Sequence, residues 1–197
     1  MFTANLSDAA ALTKAFSGAH AAYLLLPPIT SREDQERESD AIARAARESS
    51  LRYAVHLSSY GAQVPEGTGP VAGLHSSEQK LNAISDLSVL HLRPALFMEN
   101  NRAAIGMIHG TGMLGQALLP DLKLPMITPR DVGDHAARRL LDLDFSGKQS
   151  RELLCHRLFS FLPFLHCPFE LPRKHPLDCD CLDFLSDSLL LEEAIEG

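Results

Sequence analysis

Hydroxyl and imidazole side chains at two points of the chain are suited to acid–base or ligand-binding chemistry. Ser58 and Ser59 follow a short apolar run, and their hydroxyls could donate hydrogen bonds to a ligand or equally stabilise a turn at the end of a strand. His75 begins a predicted helix. An imidazole can transfer protons near neutral pH, although a single histidine in such a position is more often structural. Ser59 lies outside any G-x-S-x-G pattern, so we expect no hydrolase nucleophile.

Cysteine and histidine residues accumulate near the end of the chain, where they could hold a metal ion. All four cysteines lie beyond residue 154, and Cys179 and Cys181 are separated by a single residue. Zinc sites favour cysteine pairs separated by two to four residues, and the histidines nearby are irregularly spaced. We therefore expect free thiols and no metal site. The residues concerned are His156, His166, Cys167, His175, Cys179 and Cys181.

A glycine-rich segment, Gly110–Gly115, matches the G-x-G-x-x-G pattern of dinucleotide-binding turns. Asp131 follows it by about 20 residues, where an acidic side chain would bind the ribose. That mechanism needs a strand before the glycines and a helix and second strand after them. Here a predicted helix precedes the glycines, and Pro120, Pro125 and Pro129 interrupt the segment that follows. An ordinary glycine-rich loop is therefore favoured.

Short apolar runs and helical segments alternate along most of the chain. The runs at residues 21–26, 53–57 and 89–92 are typical of strands buried on both faces of a parallel sheet. Helices are predicted at residues 9–16, 31–50, 75–85, 98–108 and 131–143, and a Pro- and Gly-rich loop at 63–73. This alternation predicts an α/β fold, a parallel sheet with flanking helices. Such folds begin with a strand, so we expect the opening strand to be missing.

The distribution of charge limits the classes of partner. The chain has 25 Asp and Glu against 18 Lys and Arg, a formal net charge of −7. Seven acidic residues and no basic one follow Lys174, so they account for the whole net charge. The neutral body lacks the basic face that nucleic acids or anionic membranes require. No apolar stretch approaches about 20 residues and no signal-peptide pattern is present, so a cytoplasmic protein is expected.

Six segments, in the expected order, resemble the NmrA-like branch of the atypical short-chain dehydrogenase/reductases. The resemblance covers residues 1–154 and implies a Rossmann-like domain that binds NADP or NAD along the strand ends. The family reduces small quinone-type substrates or senses the NADPH/NADP⁺ ratio, so a dinucleotide and a small-molecule substrate are the implied partners. The segments are residues 5–8, 19–28, 57–62, 73–79, 92–100 and 125–133.

The resemblance implies roles for particular residues. The turn below the pyrophosphate and the nicotinamide ribose is implied at Leu26–Pro28, and the strand end beside the nicotinamide at Ser58–Tyr60. Ser59, Tyr60 and His75 are the implied catalytic candidates. Asn5 stands where the family has an aspartate beside the adenine. The implied cofactor contacts are Asn5, Leu6, Leu26, Pro27, Pro28, Ser58, Ser59, His75, Pro94, Phe97, Glu99 and Asn100.

Three departures from the family pattern weaken the implied function. The chain has no glycine before Gly18, so the opening βαβ unit and its G-x-x-G-x-x-G phosphate loop are absent from it. None of Tyr23, Tyr53 and Tyr60 is followed four residues later by the lysine that lowers the pKa of a catalytic tyrosine. Residues 155–197 depart from the family and form a divergent acidic tail, predicted to be irregular or helical.

Two kinds of function therefore remain open. The chain is expected to be a dinucleotide-binding protein related to quinone-type oxidoreductases, with cofactor binding impaired by loss of the phosphate loop. Alternatively it is a non-catalytic redox-sensing regulator or interaction module, or a degenerate gene product. The expected domain organisation is a Rossmann-like domain over residues 1–154 followed by the tail over 155–197.

Overall fold

The computed structural model describes residues 3–27, 31–102, 124–154 and the backbone of 158–159 of the 197-residue chain. The polypeptide divides into two compact units. The first combines Met1–Pro94 with Asp134–Leu153, and the second combines Ala95–Gly133 with Leu154–Gly197. The division predicted after residue 154 stays a prediction, because the tail lies almost entirely outside the described ranges. In the described part of the chain, no helix is long and apolar enough to cross a membrane.

The described residues form four α-helices and seven strands. The helices are α1 (Ala9–Phe16), α2 (Arg32–Glu48), α3 (Val71–Asn82) and α4 (Pro129–Asp142), with a 3-10 helix at Met98–Arg102. The strands are β1 (Ala21–Leu25), β2 (Tyr53–Leu57), β3 (Ser88–Pro94), β4 (Leu96–Phe97), β5 (Leu124–Ile127), β6 (Lys148–Leu153) and β7 (Leu158–Phe159).

The first unit is built on a four-stranded parallel sheet with the order β1-β2-β3-β6. Its strands alternate along the chain with α2, α3 and α4. The predicted α/β fold, a parallel sheet with flanking helices, is therefore confirmed. Because all strands run in the same direction, their carboxyl ends meet at one edge of the sheet, where open α/β folds bind ligands.

Two apolar clusters cover the two faces of this sheet. On one face, side chains of α1, α2 and α3 pack against Leu24, Ala54 and Val89 of the first three strands. On the other face, Ala136 of α4 and Phe145 pack against Val55. Neighbouring positions such as Ala54 and Val55 thus contribute to opposite clusters, as the alternation of side chains along a strand requires.

Side-chain caps define where the helices begin. Asp8 accepts a hydrogen bond from the Ala11 backbone N–H (3.0 Å) at the start of α1. Ser31 accepts one from the Asp34 N–H (3.1 Å) at the start of α2. Such caps satisfy backbone donors that the first helical turn leaves unpaired. After α1, Gly18 adopts φ +78°, a backbone conformation that glycine tolerates and other residues rarely adopt.

The start of α3 differs from the sequence prediction. The loop predicted over residues 63–73 ends earlier, and the helix predicted from His75 begins at Val71. Pro70 occupies the N-cap position with helical backbone angles, and Gly73 lies inside the first helical turns. Gly73 faces the buried side chain of Gln35 on α2. The glycine thus permits a close approach of two helices, whereas the sequence pattern indicated a loop.

The second unit contains a small sheet of its own. In that sheet β4 pairs in parallel with β5, and β5 pairs antiparallel with β7. The helix predicted at residues 98–108 is a 3-10 helix over Met98–Arg102, and its remaining residues lie outside the described ranges. Thr128 directly precedes α4, and its side chain accepts a hydrogen bond from the N–H of Asp131 in the first turn of that helix (3.1 Å). Pro129 occupies the first helical position.

Candidate functional site

The carboxyl ends of β1, β2 and β3 define the candidate site in the first unit. The pairing of β2 with β3 continues beyond Leu57, because Ser58 N–H donates to Leu92 O (2.8 Å) and Tyr60 N–H donates to Pro94 O (2.9 Å). The segment of Ser58–Tyr60 is therefore held along the end of the neighbouring strand. Leu26 and Pro27 directly follow β1; Leu26 is buried and Pro27 is half-buried.

His75 lies beside this segment and is fixed by a backbone contact. Its Nδ1 lies 2.7 Å from the carbonyl oxygen of Ala62, which can only accept a hydrogen bond. In the neutral imidazole Nδ1 therefore carries the proton, and Nε2 has the lone pair. The side chain is half-buried. The structure thus places His75 of α3 next to the turn that follows β2.

Ser59 and Tyr60 lie on the accessible side of this turn. Ser59 is half-buried, and its hydroxyl donates to the Tyr60 carbonyl oxygen (3.2 Å). Tyr60 exposes 48% of its surface. Gly61 follows with φ +96°, and its N–H donates to the Gln63 side-chain oxygen (3.1 Å). A glycine at this position allows the tight turn that presents the two hydroxyl side chains.

Ser58 faces the interior instead. It is buried, and its hydroxyl donates to Glu78 Oε1 over 2.5 Å. Arg93 binds the same carboxylate with two hydrogen bonds, from Nε (3.0 Å) and from Nη2 (2.6 Å). Hydrogen bonding to Glu78 is the main cause that raises the pKa of Arg93. The Ser58 hydroxyl is thereby committed to a structural contact between the end of β2 and α3.

Sequence reasoning did not identify Glu78 and Arg93 as part of this edge. Glu78 is 2% exposed, and a buried carboxylate requires a paired cation and further donors. The pairing spans fifteen positions, from α3 to the end of β3. The available signal was an acidic residue on the helix face that also carries the apolar Leu74 and Leu81.

Asn5 and Leu6 precede α1 and play local roles. The Asn5 side-chain oxygen accepts hydrogen bonds from the Ser7 N–H (3.0 Å) and from the Ser7 hydroxyl (2.9 Å). This is the turn that asparagine side chains commonly form with the residue two positions on. Leu6 packs against the apolar cluster of α1 and α2. The acceptor oxygen of Asn5 is therefore used locally.

The remaining site predictions fall at the end of β3, in the second unit or outside the described residues. Pro94 ends β3 and is buried. Phe97 lies in β4, and Glu99 and Asn100 lie in the 3-10 helix. Glu99 Oε2 is buried, and it has no hydrogen-bond partner among the described residues. Residues outside the described ranges are Pro28, Gly110–Gly115 and the cysteines and histidines of the tail.

No group of three or more His, Cys, Asp or Glu side chains within the described ranges is arranged to hold a metal ion. The described segments that follow β1, β2 and β3 begin Leu26-Pro27, Ser58-Ser59 and Ala95. None of these three described strand ends carries the glycine-rich turn that places backbone N–H groups around a pyrophosphate.

Comparison with known proteins identifies the fold. No protein-family model matches the chain, and no curated protein matches it. Three of the similar solved structures each cover roughly four fifths of the chain. A nucleoside-diphosphate-sugar epimerase from Staphylococcus aureus is 14% identical, with a TM-score of 0.69 over 79% of this chain and 55% of its own.

The other two structures contain a bound cofactor. The NADPH-dependent quinone oxidoreductase of Escherichia coli, complexed with NADPH, is 21% identical, with a TM-score of 0.70 over 81% of this chain and 54% of its own. The triphenylmethane reductase of Citrobacter sp., complexed with NADP(H), is 16% identical. The match has a TM-score of 0.63 and covers 83% of this chain and 58% of the reductase. The chain thus spans little more than half the length of these proteins. The shared feature is the Rossmann-like α/β fold.

Proposed function

We propose that this chain is an NmrA-like, NAD(P)H-binding protein related to small-molecule, quinone-type oxidoreductases, with its dinucleotide affinity reduced. The observation that carries the proposal is the meeting of His75 with the Ser59–Tyr60 turn at the carboxyl edge of a parallel sheet. Solved proteins of this fold bind NADPH or NADP(H). The hydroxyls and the imidazole at this edge fit the nicotinamide half of such a cofactor and a small substrate beside it.

The reduced affinity follows from the described strand ends. The diphosphate carries the negative charge of a dinucleotide, and Rossmann proteins hold it with backbone N–H groups of a glycine-rich turn. The described ends of β1, β2 and β3 offer no such turn. Binding of the adenine is also weakened, because the Asn5 side-chain oxygen already accepts two hydrogen bonds from Ser7. We infer that the described strand ends retain contacts for the nicotinamide end of a dinucleotide and lack those for its phosphates.

The residues at this edge have separate tasks in the proposed site. Bound NADPH would supply a hydride. His75 holds its Nδ1 proton against the Ala62 carbonyl, so Nε2 is the atom that can accept a proton or, once protonated, donate one to a substrate oxygen. Tyr60 and Ser59 supply hydroxyl groups that orient the ligand. Glu78 and Arg93 hold the end of β2 in place through Ser58.

Quinone-dependent oxidation of NADPH tests the enzymatic form of the proposal. At saturating quinone and millimolar NADPH we expect slow turnover. His75→Gln should lower the rate by about a hundredfold, the lower end of the range for loss of a general acid–base group. The matched control is His20→Gln, an exposed histidine of the same unit. Equal rates for His75→Gln and the wild type would remove His75 from the proposed reaction.

A non-catalytic regulator is the second candidate function. The observation that favours it is the absence of a Tyr-x-x-x-Lys relay at all three tyrosines of the chain. A regulator would bind the dinucleotide and distinguish NADPH from NADP⁺ without oxidising it. Binding without quinone-dependent turnover would therefore support the regulator and reject the enzyme.

A further inference from the structure

Two histidines inside the first unit belong to a continuous line of hydrogen bonds. His56 of β2 and His91 of β3 are partners in the parallel register, and their Nδ1 atoms lie 2.9 Å apart. Both side chains are almost fully buried, with 1% and 2% exposed. Ser77 Oγ lies 3.2 Å from His56 Nε2, and Asn82 Oδ1 lies 3.0 Å from His91 Nε2. Ser77 and Asn82 both belong to α3.

The chemistry of the end groups fixes the direction of this line. The Asn82 oxygen accepts only, so His91 Nε2 carries a proton and His91 Nδ1 is an acceptor. His56 Nδ1 must then donate to His91 Nδ1, which leaves His56 Nε2 to accept from the Ser77 hydroxyl. With both imidazoles neutral, each donor on this line meets one acceptor. The two histidines are therefore opposite tautomers, Nδ1–H at His56 and Nε2–H at His91.

We propose that Ser77, His56, His91 and Asn82 form an acid-sensitive latch that ties α3 to β2 and β3 while both histidines are neutral. α3 also carries His75 and Glu78, so release of the latch would remove two side chains from the carboxyl edge of the sheet. The latch belongs to the fold of the first unit. It does not depend on dinucleotide binding, so the proposed function and the latch can fail separately.

Protonation of both histidines breaks the match of donors and acceptors. A first proton can bind to His56 Nε2, because the Ser77 Oγ can then accept a hydrogen bond from that atom instead of donating one to it. A second proton places two N–H groups head to head at the 2.9 Å contact, with two positive charges and no acceptor between them. The pair therefore titrates as one coupled unit.

The surroundings of the pair resist this protonation. Burial, and then the neighbouring His91, lower the pKa of His56 from 6.5 to about 3, although Glu78 on α3 acts in the opposite direction. Burial lowers the pKa of His91 from 6.5 to about 4, with further lowering by Arg93 of β3 and Lys148 of β6. At pH values between these lowered pKa values and 6.5, the unfolded chain binds more protons than the folded one. The stabilisation is thus complete above pH 6.5 and is lost as the pH falls.

Urea unfolding as a function of pH tests the latch. Unfolding takes up two protons on these histidines in this range. Their contribution therefore raises the unfolding equilibrium constant by about a hundredfold for each unit by which the pH falls between about 6 and 4.5. We expect the double variant His56→Gln/His91→Gln to lack this contribution, and the exposed-site control His20→Gln to keep it. The same pH dependence in the double variant and the wild type would overturn the proposal.

A second measurement covers the case in which the double variant does not fold. Nitrogen-15 NMR of the wild-type imidazoles at neutral pH distinguishes the two tautomers directly. We expect the Nδ1–H form at His56 and the Nε2–H form at His91. The same tautomer at both positions, or a charged imidazole at either position at pH 7, would contradict the latch. Neither result depends on whether NADPH binds.

Discussion

Single side chains explain why the candidate edge is held in place. Glu78 accepts one hydrogen bond from Ser58 and two from Arg93, and the carboxylate is 2% exposed. Buried ion pairs contribute little net stability compared with an apolar pair, but removal of one partner leaves a charge without compensation. The pair therefore matters mainly because both members must be present for the end of β2 to remain attached to α3.

Glu78→Gln is expected to destabilise the first unit by about 3 kcal/mol, at the lower end of the range for breaking a buried pair, because Arg93 keeps some exposure. The measurement is chemical denaturation at pH 7. Arg44→Gln breaks the surface pair of Arg44 with Glu48 on α2, and it should leave the denaturation midpoint almost unchanged. A Glu78→Gln variant as stable as the wild type would show that the Glu78–Arg93 pair is not needed.

At this scale the sequence predicted types of residue better than their roles. Ser58 and Ser59 were equivalent candidates in sequence, yet Ser58 is buried against Glu78 and Ser59 lies at the turn. The difference depends on a helix twenty positions further on, which no local pattern reports. His56 and His91 had a usable signal, since each is the polar residue in an otherwise apolar predicted strand.

Elements were predicted more accurately where apolar runs are continuous. The predicted and observed bounds of β2 coincide at residues 53–57, because a strand buried on both faces has no polar interruptions other than His56. The sequence did not predict the start of α3, because proline and glycine, here Pro70 and Gly73, are residue types typical of loops. Inside a helix, Gly73 lies so near α2 that an added Cβ would be 2.8 Å from Gln35 Cδ and 3.3 Å from Gln35 Cβ.

Gly73→Ala is therefore expected to destabilise the first unit by about 1–2 kcal/mol, the cost of overpacking less the helix propensity gained. Gly133→Ala is the matched substitution in α4, where an added Cβ meets nothing within 4 Å. The Gly133→Ala variant should instead be more stable than the wild type, by up to about 1 kcal/mol in the free energy of unfolding. Thermal unfolding of both variants measures the difference in sign. A stabilising Gly73→Ala would contradict the close approach of α2 and α3.

Polar side chains also fasten the helices to one another. Lys80 of α3 pairs with Glu36 (2.6 Å) and Asp40 (2.8 Å) of α2 and donates to Ser39 Oγ (2.8 Å). Burial lowers the pKa of Lys80, but the hydrogen bonds to Asp40 and Glu36 and the negative charges of both carboxylates together outweigh burial and raise this pKa. The ammonium group therefore remains charged throughout the neutral range and holds α2 against α3.

Lys80→Met should destabilise the first unit by about 1–2 kcal/mol, since it removes charge-assisted hydrogen bonds but keeps the aliphatic stem. Burial raises the pKa of Glu36, but hydrogen bonds from Lys80 and Ser76 and the charge of Lys80 outweigh burial and lower this pKa. Part of the stability is therefore present above the ordinary glutamate pKa and is lost as the pH falls through the lowered pKa of the folded state. Denaturation at pH 7 and pH 4 checks both points. An equal stability difference at the two pH values would contradict the ion pair.

At the scale of the whole molecule, the four parallel strands and their carboxyl edge are the features shared with dinucleotide-binding proteins of known structure. The chain spans about half of those proteins, and its described strand ends lack a glycine-rich phosphate turn. The fold could be predicted because βα alternation is visible in sequence. The strength of cofactor binding could not, because it depends on which backbone N–H groups converge at the sheet edge.

The most direct test of the central claim is a calorimetric titration of the chain with NADPH, compared with the reduced nicotinamide mononucleotide. If only the nicotinamide half has contacts, both ligands should bind with similar dissociation constants in the millimolar range, about −4 kcal/mol. Micromolar binding of NADPH, about a thousandfold tighter than the mononucleotide, would contradict the claim, because it would require the phosphate contacts that the described strand ends do not provide.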